Sequence, residues 1–111
     1  MVKLDRDKFF DAIFAYLAES ISIEKATLQA NTMTDDLFTM YEKISTSMED
    51  PTFKDFETLV GQFHTLKNLL LHGDFYYESD LCQDIEIDLR KNKDISNIKS
   101  LFGELVESLK R

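Results

Sequence analysis

Residues 51–73 read PTFKDFETLVGQFHTLKNLLLHG, and the spacing within this stretch decides the fold. Phe56, Leu59, Phe63, Leu66 and Leu70 alternate three and four positions apart, the seam of a helix packed nearly parallel to its neighbours. Pro51 suits a first helical turn, with Asp50 before it as N-cap. Gly73 stands where a C-cap glycine commonly ends a helix. The pattern predicts a helix over residues 51–72. A helix advances about 100° per residue, so the seam centres roughly 130° from His64, which therefore looks outward. Within about 60° of His64 lie Glu57, Val60, Gly61, Lys67, Asn68 and Leu71, a face mixing charge, a small residue and apolar side chains.

The same periodicity extends in both directions. Phe10, Ile13, Phe14, Leu17 and Ile21 mark a first helix over residues 4–21. Its continuation through Ile23, Ala26 and Leu28 is less regular, and Asn31 with Thr32 interrupts it before a capping box formed by Thr32 and Asp35. Met33, Leu37, Met40, Ile44 and Met48 mark a second helix that closes before Pro51. Tyr77, Leu81, Ile85 and Leu89 begin a fourth, with Arg90 and Lys91 suited to its C-terminal dipole. Asp94 can cap a fifth, whose row is Ile95, Ile98, Phe102, Leu105 and Leu109. Short connections favour antiparallel neighbours. The expectation is one all-α domain over residues 1–111, an up-and-down antiparallel bundle with a four-helix core and an added N-terminal helix.

Composition narrows the class. The 111 residues are 43% hydrophobic and 31% charged, which suits a chain that buries a core. Three Gly and one Pro are too few for the turns of a sandwich or barrel. No apolar run approaches the roughly 18 residues of a membrane span, and no secretory segment is evident, so no membrane partner is expected. Cys82 alone can form neither an internal disulfide nor a cysteine cluster, which fits a reducing cytoplasm. A formal charge of −8 repels a phosphate backbone, so nucleic acid is not an expected ligand.

Taken alone, an exposed histidine is ordinarily a polar residue on a wet face, and a Lys three positions later is a common accident. The wider stretch, FHTLKNLLLHG at residues 63–73, resembles the phosphorylation segment of histidine phosphotransfer domains: His, any residue, Leu, Lys, Gly and a later Gly. His64, Leu66 and Lys67 match it. LCQDIEIDLR, residues 81–90, is similar to that family's next helix, with its Leu, Cys, apolar and Glu positions. Asn68 stands where the family has Gly, and Gly73 comes one residue before the second glycine's place.

The resemblance implies a phosphocarrier of a two-component phosphorelay, cytoplasmic, with His64 as phosphoacceptor. A neutral imidazole nitrogen is nucleophilic near pH 7 and takes a phosphoryl group without a separate base. Lys67, one turn along, would offset the added charge. Glu57, Val60, Gly61, Asn68 and Leu71 would dock the partner. The implied partners are a response-regulator receiver domain and a sensor histidine kinase. Mg²⁺ would sit in the receiver's acidic pocket, and the chain would have no cofactor of its own. With no Gly-rich phosphate loop and no Asp cluster aligned with His64, neither ATP binding nor kinase activity is expected.

Two other readings stand beside this one. A helical adaptor could keep the docking surface and carry no phosphate, as Asn68 and Gly73 would allow. A structural bundle, dimeric through the first helix, would explain Phe9 and Phe10; otherwise a monomer is expected. His72 reads as a helix-end residue, too far from His64 to share a metal. Met33, Met40 and Met48 read as core fillers, and the acidic run of residues 78–88 as a wet face.

Overall fold

The computed structural model describes residues 4–49 and 56–110. Asp5 opens the chain's first helix by accepting the Asp7 N–H on its carboxylate at 3.1 Å, which caps α1 (Arg6–Ala18). Ser22 starts the next, its hydroxyl accepting the Lys25 N–H at 3.3 Å, and α2 (Ile23–Glu49) then runs unbroken. After it come α3 (Phe56–Leu71), α4 (Tyr76–Arg90) and α5 (Ile95–Lys110). No strand occurs among the described residues, so the fold is an all-α bundle. The expected cap at Asp50 and Pro51 lies outside the described residues.

Cross-helix contacts give the direction of each packing. Asp88 near the end of α4 accepts the Asn97 side-chain amide at 2.6 Å, while Ser108 at the other end of α5 donates to Glu78 at 2.7 Å, so α4 and α5 are antiparallel. His64 and Lys67 of α3 meet Glu86, while the Lys67 carbonyl meets Ser79, giving the same sense for α3 and α4. The Arg6–Asp35 ion pair lays α1 back along the first part of α2. One core joins Leu37, Ile44, Leu59, Phe63, Leu66, Ile85, Ile98 and Leu105, with Phe63 edge-on to Phe102 across the bundle. Phe9 enters it from α1, packed on Phe38 and Phe75. Phe9 is thus consumed within one chain, whereas Phe10 stacks on Phe14 at half burial.

Three expectations are corrected. Thr32 starts no helix: it lies inside α2, and its hydroxyl bonds back to the Leu28 carbonyl at 3.2 Å, satisfying locally the group that resembled a cap. The boundary lies ten residues earlier, at Ser22. Tyr77, expected in the buried row of α4, is 58% exposed, because it lies along an open groove beside Gly103, Glu104, Glu107 and Ser108 of α5 and not beneath that helix. The acidic run is not uniformly wet, since Glu86 and Asp88 are buried. Each faces a partner on another helix, which the sequence of α4 alone does not reveal.

Gly73 does end α3, but for a different reason. The left-handed residue is Asp74, φ 59°, and the bonds Phe75 N–H to Leu70 and Asp74 N–H to Leu71 form a Schellman closure around it. Gly73 sits one position earlier with ordinary φ. A Cβ there would come within 2.6 Å of the Phe75 ring. Gly73→Ala is therefore expected to push Phe75 off Phe9 and cost about 1 to 3 kcal/mol, measured as a lower urea midpoint.

Candidate functional site

Glu86 is the centre of the outward face of α3. Its side chain is only 7% exposed, yet it meets three basic groups. His64 Nδ1 lies 3.3 Å from Oε1, Lys67 Nζ 3.7 Å from Oε2, and Arg90 Nη2 3.0 Å from Oε1. Arg90 reaches it along α4 at the i,i+4 spacing that helices favour for such pairs. His64 and Lys67 reach it from α3 because the antiparallel packing sets their turn against the last two turns of α4. A carboxylate removed from water is retained where charge and hydrogen-bond partners compensate its lost hydration. This one has both.

His64 keeps half of its ring in solvent, 52% exposed, as its place off the seam required. With a carboxylate beside Nδ1, the tautomer carrying its proton there is favoured, and Nε2 keeps the free lone pair. Lys67 is less open than the helical count suggested. Its stem lies along the α3–α4 seam with 19% of the side chain exposed, and its ammonium is turned to Glu86. Ser79 braces the same seam, its hydroxyl 3.4 Å from the Lys67 carbonyl.

The docking residues read from the sequence share this side of α3. Glu57, Gly61, Asn68 and Leu71 are exposed, and Val60 is half-buried. Gly61 opens onto empty space: apart from its chain neighbours and its own helix's backbone, no heavy atom lies within 4 Å of where a Cβ would stand. Sequence reasoning did not find Glu86 or Arg90 as members. The available signal was the Glu86–Arg90 spacing, which was absorbed into an acidic run.

Other titratable groups fall outside. His72 places Nδ1 2.7 Å from the Asn68 carbonyl and its ring edge-on to Tyr16, a helix-end contact that helps seat α1. Burial, then the carboxylates of Glu78 and Glu86, push the Cys82 thiol up to about 12, so it is inert as a nucleophile at neutral pH. Among the described residues no three His, Cys, Asp or Glu side chains are grouped to hold a metal, and no helix is long and apolar enough to cross a membrane. Comparison of the chain with protein-family models, curated proteins and solved structures returns no match.

Proposed function

We propose that the chain is a histidine phosphocarrier, accepting a phosphoryl group on His64 Nε2 from a receiver-domain aspartyl phosphate and returning it to another. The observation that carries the reading is the Glu86 carboxylate at 3.3 Å from Nδ1 of a half-exposed imidazole. A buried base-side partner of this kind holds an imidazole in one tautomer and one orientation.

In the accepting step the Nε2 lone pair attacks phosphorus, the bond from phosphorus to the aspartyl oxygen breaks, and the aspartate leaves as a carboxylate. Nδ1 keeps its proton. The ring then carries a positive charge facing Glu86, and the phosphoryl oxygens lie toward solvent; Lys67, whose ammonium is turned to Glu86 in the free protein, would offset their charge on swinging away from it. Reversal breaks the P–N bond and returns its electron pair to Nε2. Mg²⁺ and the acceptor aspartate belong to the receiver. Leu71 and Val60 supply apolar area beside the ring for docking.

The test is incubation of the protein with receiver domains from the same cell, each charged with acetyl phosphate and Mg²⁺. The expected result is label on the protein that is stable in base and lost in acid. A receiver that binds the protein while no phosphate moves would establish the adaptor reading in its place.

A further inference from the structure

A groove of about 500 Å³ opens one turn before His64, between the start of α3 and the end of α4. Phe56, Val60 and Leu89 form its apolar floor, and Glu57, Arg90 and Lys93 stand around it. Arg90 is held by Glu86 at 3.0 Å. Lys93 is fixed by its backbone: it takes a left-handed conformation, φ 51°, its N–H bonds the Asp88 carbonyl at 2.7 Å, and its ammonium lies 5.5 Å from the centre of the Phe56 ring. On a chain of net charge −8, Arg90 on Glu86 and Lys93 beyond it therefore carry positive charge from beside the histidine into the groove.

We propose that this groove is the second attachment point of the receiver domain. It takes an acidic side chain with an apolar neighbour from the receiver surface that rims the acceptor aspartate. The inference rests on the carrier reading and adds where, and by what chemistry, the partner is held. Charge complementarity selects the occupant. A carboxylate seats between Arg90 and Lys93, the apolar neighbour covers Phe56 and Val60, and Glu57 on the opposite rim repels the carboxylate from the α3 side. With His64 engaged one turn away, two points on one line fix the receiver's rotation about the phosphoryl axis. A basic partner would meet the reverse pattern and be turned away.

The experiment compares two phosphodonors on the same protein. Phosphoramidate labels an exposed imidazole without docking; a receiver charged with acetyl phosphate and Mg²⁺ must dock. Lys93→Glu is chosen because Arg90 also touches Glu86 and would confuse the two effects. At low ionic strength it is expected to lower the ratio of receiver-driven to phosphoramidate-driven labelling rates about tenfold, the gap narrowing as salt is raised. Lys25→Glu, the same change of net charge on the first turn of α2, is expected to leave the ratio at the wild-type value. Equal ratios for Lys93→Glu and wild type would overturn the groove, as would equal falls for Lys93→Glu and Lys25→Glu. A wild-type protein that takes label from phosphoramidate but from no receiver would remove the carrier reading and the groove with it, and that outcome is visible before any variant is made.

Discussion

His64→Gln is expected to take no acid-labile label from any donor while melting within a few degrees of the wild type. Half of the His64 ring is already in water, Lys67 and Arg90 stay on the buried Glu86 carboxylate, and a Gln amide can donate to it where Nδ1–H stood. The chemistry has no substitute nearby, since His72 faces Asn68 and Tyr16 and Cys82 is buried. Label surviving His64→Gln would place the acceptor elsewhere. Glu86→Ala separates the nucleophile from its orientation. With Nδ1 unheld and Lys67 released, labelling is expected to fall by about tenfold or more, by analogy with metal-bound imidazoles that lose the carboxylate orienting them. The fraction of His64 protonated on Nδ1, read by ¹⁵N NMR of the unphosphorylated protein, should fall in the same variant. An unchanged tautomer would show that Glu86 does not set it.

Phe63→Ala is expected to produce the largest loss of stability. Phe63 is fully buried at the centre of the seam and edge-on to Phe102, so truncation removes a ring and leaves a cavity that four helices cannot close. Such changes cost about 3 to 5 kcal/mol. A domain of this size has about 5 to 15 kcal/mol in all, so much of the folded population's margin would go. The urea midpoint should fall by about 2 to 3 M with little change in slope. A shift below about 0.5 M would mean that the core refills around the cavity.

The neighbouring positions 63 and 64 show what the sequence made legible. Phe63 belonged to a strict three-four row, and one residue of helical rotation is enough to carry His64 out of the core, so fold class and exposed histidine both followed from spacing. The start of α2 did not follow. Ile23 and Leu28 are both exposed, which blurred the apolar pattern where the helix begins, and the Thr32 hydroxyl mimicked a cap while bonded within its own helix. Glu86 was hidden for another reason. Its burial depends on His64 and Lys67, about twenty positions away in the chain, and a carboxylate in an acidic run carries no local sign that cations from a second helix will cover it. Asp88, covered by Asn97, is the same case. Gly73 was found as a helix end, but the Schellman bonds belong to Asp74, and the contact that excludes a side chain at Gly73 is tertiary.

The unbroken length of α2 has a consequence for how the molecule comes apart. Its second half, from Leu37 onward, is built into the main core, whereas Ala26 and Ala30 in its first half are buried outside that cluster, as is Ile13 of α1. The helix is therefore clamped at one end and covered at the other chiefly by a single short neighbour, joined to the core through Phe9. Amide protons of residues 23–34 can exchange when α1 lifts, at a free energy below that of global unfolding, while those of residues 37–49 must wait for the core to open. A single continuous helix thus spans two rungs of a stability ladder, and the lower rung lies at the end of the bundle away from the Phe56 groove.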